Sequence, residues 1–321
     1  MPQKRKLGLS SLQVSPLCFG GNVFGWTVPE PTAFQLLDAF TDAGFNFVDT
    51  ADVYSKWIPG NQGGESETII GNWFRKTGKR AQLVLATKVG MMTPSGEKKL
   101  SRSTILKCVD DSLRRLQTDY IDLYQAHQDD DETPLEETLE TFDSLVKAGK
   151  VRTLGASNFS AARLGASLKL SMENDWARFE CLQPLYNLYD RAKYETELEP
   201  FCLNRGLGVI PYSSLASGFL TGKYRSDRDL GKSSRGARVK DYLSERGFSV
   251  LEALDRVAEK HGSTPARVAL AWLLSRPSVT APVVSTTSLE QLSDILQAAD
   301  LQLDSTSLER LGSTKAAPAQ T

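Results

Sequence analysis

The sequence predicts a single (β/α)8 barrel, on three observations. Short apolar runs alternate with amphipathic stretches eight times along 321 residues, which fits one closed barrel better than any two-domain scheme. Nearly every apolar run ends in a polar residue. A doubly wound sheet would place G-x-G-x-x-G after its first strand, and "FGGNVFG" carries glycines in another register.

The elements follow in order. "KRKLGLSSLQVS" predicts a short hairpin within 1–14, turning near Leu9–Ser11. "VSPLCFGG" is the first barrel strand, and "PEPTAFQLLDAFTDAG" its helix, with Phe34, Leu37, Ala39 and Phe40 near helical spacing and Gly44 as the stop. "FNFVDTA" is the second strand. "ESETIIGNWFRKTG" is a helix with acids early and bases late, as its dipole favours. "AQLVLATKVG" precedes a helix in "SRSTILKCVDDSLRRLQ", capped by Ser101 or Ser103. "YIDLYQAHQ" is the fourth strand, and proline opens the helix in "TPLEETLETFDSLVKAGK". "VRTLGASNFS", "FECLQPLYN", "GLGVIPYSS" and "TAPVVSTTS" complete the eight strands. Helices are expected over 160–172, 193–206 and 247–275, the last broken before Pro265. The stretch 217–247 is a long basic insertion after strand seven, and loops of that length are commonly functional. Residues 315–321 read as a flexible tail.

Composition excludes several functions. A formal net charge of -1 argues against a nucleic-acid or anionic-membrane partner. Four cysteines without C-x-x-C spacing fit reduced thiols, and two histidines leave no histidine cluster for a metal. "MPQKRKLGLSS" has no apolar leader-like core, and no later run reaches eighteen apolar residues. A soluble cytoplasmic protein without a metal is expected. Oligomeric state is not legible.

In such a barrel the active site lies at the C-terminal strand ends. Those ends deliver Asp49 with Tyr54 just beyond, Lys88 beside Thr87, Gln125 with His127, Ser157 with Asn158, Gln183, Tyr212 with Ser213, and Ser285 with Thr286. Alternation puts Asp49 on the face of Phe47, Lys88 on that of Ala86, and His127 on that of Gln125. An acid, a lysine, a tyrosine and a histidine on one rim make a chemically sensible set. A buried lysine ammonium beside a tyrosine lowers the phenol's pKa, and an aspartate holds the lysine charged. Such a phenol is a competent general acid toward a carbonyl oxygen.

The ordered motifs "FVDTADVY", "LATKVG", "IDLYQAH", "GASNFS", "LQPLYN" and "IPYSSLASGFLTGKY" resemble the aldo-keto reductase superfamily over essentially the whole chain. The resemblance implies a catalytic tetrad of Asp49, Tyr54, Lys88 and His127. It implies NADPH-dependent reduction of an aldehyde or ketone, a small-molecule partner, with Tyr54 giving the proton and His127 orienting the carbonyl. It leaves Asp52 a loop residue. Ser157, Asn158 and Gln183 would meet the cofactor carboxamide, and Tyr212 would stack on the nicotinamide. Ser213, Leu215, Ser217, Gly218 and Lys223 would hold the pyrophosphate, with 217–247 covering the cofactor. Gly21, Asn22, Asp49, Ser285, Thr287 and Gln291 are also placed on the cofactor by the resemblance. The match departs at "VVSTTSLEQLSDIL". A glycine is common where Ser285 stands, a cation near Thr287–Ser288, and an asparagine where Ile295 stands, so NADH use stays open. Phe24, Trp26 and Trp57 fall in expected substrate loops.

Two rivals remain. One is a cofactor-binding regulatory barrel resembling channel-associated β subunits, with little catalysis. The other is a Schiff-base lyase on Lys88, against which Asp49 argues by keeping the lysine protonated.

Overall fold

The computed structural model describes residues 1–91 and 99–314; the expected tail at 315–321 lies outside them. Eight parallel strands run in the order β10-β3-β4-β5-β6-β7-β8-β9. They are β3 (Cys18–Gly20), β4 (Phe47–Asp49), β5 (Val84–Val89), β6 (Ile121–Ala126), β7 (Val151–Ser157), β8 (Phe179–Gln183), β9 (Gly208–Val209) and β10 (Val283–Val284). The sheet closes on itself. Thr280 N–H donates to Val209 O at 2.7 Å and Val283 N–H to Pro211 O at 2.9 Å, which joins the end strands.

Strands seven and eight are shorter than "GLGVIPYSS" and "TAPVVSTTS" suggest. Pro211 and Pro282 have no N–H to donate, so regular pairing stops beside them. The N-terminal hairpin forms as expected, with β1 (Arg5–Lys6) antiparallel to β2 (Gln13–Val14). It plugs the barrel floor. Leu7, Leu12 and Val14 pack in one interior cluster with Cys18, Phe47, Ala86, Leu123 and Cys181. Gly8 permits this docking, because a Cβ there would stand 2.1 Å from the Glu180 carbonyl oxygen.

Period-two alternation sorts the remaining strand residues. Val48, Leu85 and Tyr124 face the helices, whereas Phe47, Ala86 and Leu123 face inward. One step further, the inward positions are Asp49, Lys88 and Gln125, all buried. The polar layer therefore sits directly above an apolar one.

The helices are α1 (Glu30–Asp42), α2 (Glu65–Thr77), α3 (Arg102–Leu116), α4 (Leu135–Lys147), α5 (Ala161–Glu173), α6 (Glu199–Arg205), α7 (Glu245–Lys260), α8 (Pro265–Leu274), α9 (Leu289–Leu296) and α10 (Ser305–Gly312). Ser101 caps α3, accepting from Thr104 N–H. The break before Pro265 falls between α7 and α8, with Thr264 as N-cap and Pro265 in the first turn. The expected insertion ends earlier than 247, since Ser244 caps α7. It forms short helical turns at Ala216–Thr221, Asp227–Lys232 and Gly236–Tyr242. Among the described residues, no helix is long and apolar enough to cross a membrane.

Candidate active site

The polar layer opens into a cavity of about 800 Å³ at the C-terminal mouth. Lys88 is fully buried. An ammonium has three donors, and all are used: Asp49 Oδ2 at 2.6 Å, Tyr54 OH at 2.7 Å and Thr50 O at 2.8 Å. Tyr54 OH in turn lies 3.3 Å from Asp49 Oδ2 as a donor. Asp49 Oδ1 accepts from Gln183 Nε2 at 2.9 Å and Gln125 Nε2 at 3.3 Å. Asp49, Tyr54 and Lys88 thus form one bonded triangle.

His127 joins the triangle by contact rather than by hydrogen bond. Its ring stands edge-on to Tyr54, centroids 6.0 Å apart, and its Nδ1 is buried without a partner. Burial, then the Lys88 charge, holds its pKa well below the ordinary value, so the imidazole is neutral at neutral pH.

The expected lowering of the phenol does not occur. Burial, then Asp49, pushes the Tyr54 phenol well above its ordinary value. The reason is local neutrality: Asp49 sits 2.6 Å from the ammonium and offsets its field, which leaves desolvation of the phenolate in command. The phenol keeps its proton across the physiological range.

The residues expected at the cofactor are partly engaged with one another. Ser157 Oγ donates to Gln183 O at 2.9 Å, Asn158 Nδ2 to His127 O at 2.9 Å, and Tyr212 OH to Asn158 Oδ1 at 2.9 Å. Gln183 spends its Nε2 on Asp49. Ser157, Asn158, Gln183 and Tyr212 still line the cavity, as do Asn22, Ser213, Leu215, Ser217, Gly218, Lys223, Ser285, Thr287 and Gln291. The backbone from 213 to 218 is left-handed at Ser213, Ala216, Ser217 and Gly218. Such turns expose N–H groups to a concave surface.

Several expectations need correction. Gly21 lies behind the wall, its carbonyl accepting from Ser66 Oγ at 2.8 Å, and Gly20 lines the cavity in its place. Phe24 is fully buried and stacks on Phe19 at 5.4 Å, so it is core rather than substrate loop. Trp26 and Trp57 pack edge-to-face at 5.7 Å, with Trp57 6.2 Å from Tyr54, and neither lines the cavity. Ser288 is spent capping α9, while Thr287 donates to Gln291 Oε1.

Sequence reasoning missed the individual cations on the insertion. Lys232, Arg235 and Arg238 line the cavity with Lys223. Arg235 lies over the Trp26 ring at 5.2 Å, and its Nη2 is buried without a partner among the described residues. The basic run from Lys223 to Arg238 was the signal, but a run alone does not say which members turn inward. Met91 and Thr27 line the cavity too, and nothing in their local sequence marks them. Among the described residues, no cluster of His, Cys, Asp or Glu could hold a metal.

The chain is similar to known proteins over nearly its whole length. The model of the Aldo/keto reductase family matches residues 16–315. An uncharacterized oxidoreductase, YrpG, of Bacillus subtilis is 38% identical, covering 95% of this chain and 93% of its own. Protein tas of Escherichia coli is 32% identical over 94% of each chain. A probable voltage-gated potassium channel subunit beta of Arabidopsis thaliana is 33% identical, over 93% of this chain and 92% of its own. The family implies nicotinamide-dependent oxidoreductase chemistry on a (β/α)8 barrel, and by this match the chain belongs to the aldo/keto reductase family.

Proposed function

We propose that the protein reduces the carbonyl of an aldehyde or ketone with NADPH, Tyr54 acting as the general acid. The observation that carries this reading is the Asp49–Lys88–Tyr54 triangle at the floor of a long cavity. The cavity's chemistry fits a dinucleotide. The left-handed turn at 213–218, in which Ala216 and Gly218 N–H donate within the turn, leaves other N–H groups for phosphates, and Lys223, Lys232, Arg235 and Arg238 line the cavity as cations for them. The unpartnered Arg235 Nη2 is a donor lacking an anion. These insertion residues supply the charge that "VVSTTS" lacks, which favours NADPH over NADH. The insertion itself would cover the cofactor.

When bound, the nicotinamide supplies the hydride that reaches the carbonyl carbon. The chain handles the proton and the geometry. Neutral His127 can donate one N–H toward the carbonyl oxygen and aim it at Tyr54. Tyr54 gives its proton as negative charge grows on that oxygen. Lys88, 2.7 Å away, stabilises the phenolate left behind. Asp49 holds Lys88 in place, and Gln125 and Gln183 hold Asp49. Trp57, 6.2 Å from Tyr54, with Trp26 packed against it, would give an apolar or flat carbonyl compound at the acid an aromatic neighbour.

The test is a panel of aldehydes, α-dicarbonyls and keto-sugars, followed by loss of reduced-nicotinamide absorbance with each cofactor. Tyr54→Phe should lower kcat by about 10²–10⁴ while NADPH still binds. Turnover that persists in Tyr54→Phe would remove the assigned acid, and a clear NADH preference would overturn the cofactor assignment. The probable channel-subunit relative motivates a second reading, a barrel that binds cofactor with little turnover. Tight NADPH binding with no reduction across the panel would favour it.

A further inference from the structure

Asp52 lies on the turn between Asp49 and Tyr54, and the proposed reduction gives it no part. Its N–H donates to the Lys88 carbonyl at 3.3 Å, which pins the turn to β5. The residue reaches the surface in part, yet its Oδ1 is sealed from solvent and has no hydrogen-bond partner among the described residues. A carboxylate oxygen buried without a donor is costly, and the neutral acid costs far less.

The groups facing it relieve that cost only in part: Arg115, the Val53 N–H and Lys88 favour the charge, but burial and Glu67 outweigh them. The side chains around it are Glu67 from α2, Arg115 and Cys108 from α3, Lys88 from β5 and Tyr124 from β6. Arg115 is committed elsewhere, donating from Nε to Glu67 Oε2 at 2.7 Å and from Nη2 to Ser112 Oγ at 3.3 Å. Gly64 leaves it room, since a Cβ there would stand 2.4 Å from Arg115 Nε. Glu67 is fully buried, and its Oε1 accepts from Thr87 Oγ1 at 2.6 Å, next to Lys88 in the strand. Lys88 spends all three donors on Asp49, Tyr54 and Thr50. Both nearby cations are taken, and Glu67 is a second acid in the same dry layer. Burial, then Glu67, pushes the Asp52 carboxyl up to about 7.

We propose that Asp52 is a positioning residue that holds the Tyr54 turn against Lys88 while protonated and releases it on ionisation. The step is loss of one proton to solvent. The new charge beside Glu67 is relieved most cheaply by swinging the carboxyl to water, toward which the residue is already partly open. Tyr54, two residues on, is then drawn off its contact with Lys88. The catalytic consequence rests on the reductase reading; the structural one does not.

Carbon-13 NMR of the labelled full chain, without ligands, tests it between pH 5 and 9. The Asp52 Cγ and Tyr54 Cζ resonances should shift with one shared midpoint near 7, and the Tyr54 shift should vanish in Asp52→Asn. In the reductase assay, kcat should fall about tenfold per pH unit above that midpoint. Asp52→Asn should flatten this limb. Glu67→Gln should move it to lower pH, because Glu67 adds to burial in raising the acid. An Asp52 that titrates in the ordinary carboxylate range, or a Tyr54 resonance indifferent to it, overturns the proposal. If no carbonyl compound is reduced, the reductase reading fails, and the two NMR midpoints still decide the coupling.

Discussion

Lys88→Met removes the one cation among the described residues that touches Asp49, with both partners essentially inaccessible at 0% and 1% side-chain exposure. Three hydrogen bonds go with it, to Asp49, Thr50 and Tyr54. The larger loss is electrostatic. Asp49 keeps its amide donors from Gln183 and Gln125, but its charge stays buried without a counter-ion. Breaking a buried pair on one side costs about 3–5 kcal/mol, whereas replacing both sides is often neutral. The expected outcome is that Lys88→Met lowers unfolding free energy by about that amount, read as a lower urea midpoint at unchanged slope. Adding Asp49→Asn should restore most of it, because Asn keeps an acceptor for the two glutamines and carries no charge. The double-mutant cycle isolates the pair from everything else at the two sites. A single-mutant loss below about 1 kcal/mol would mean Asp49 is already compensated without the lysine, and the bonded triangle would lose its standing as the frame of the site. Reductase activity should fall in both variants, since neither leaves an ammonium to stabilise a phenolate.

Two further outcomes follow from buried groups near this frame. The folded state holds His127 neutral, well below the 6.5 of the unfolded chain. Protons therefore bind the unfolded chain first, and stability should fall as pH drops below that value; His127→Gln should flatten this part of the urea pH profile. Gly64→Ala should cost about 1–3 kcal/mol in thermal unfolding, because the residue sits at φ +85° and the new Cβ would meet Arg115 Nε at 2.4 Å. A stability equal to that of the native chain would show that Arg115 shifts freely, which would also weaken the enclosure argued for Asp52.

The strand-end residues were readable because a barrel turns a one-dimensional pattern into a radial one. Period two decides which side chains face inward, and the last inward position before each loop must reach the mouth. Asp49, Lys88 and Gln125 follow from that rule without any distance being known. Phe24 falls in an expected substrate loop, and in a loop no period tells inward from outward. An aromatic there packs wherever the core leaves room, and Phe19 left it.

What the order of residues determined by itself was the barrel, its floor hairpin, and the ring of polar groups at one end. Those depend on period, caps and proline, all local in the chain. Tertiary structure alone decided the electrostatics. Whether the phenol rises or falls depends on its burial and on Asp49 offsetting Lys88, and whether Asp52 stays protonated depends on its burial beside Glu67. Both outcomes turn on burial and on distances between residues separated in the chain, and charge interactions in a dry interior follow distance, not sequence order.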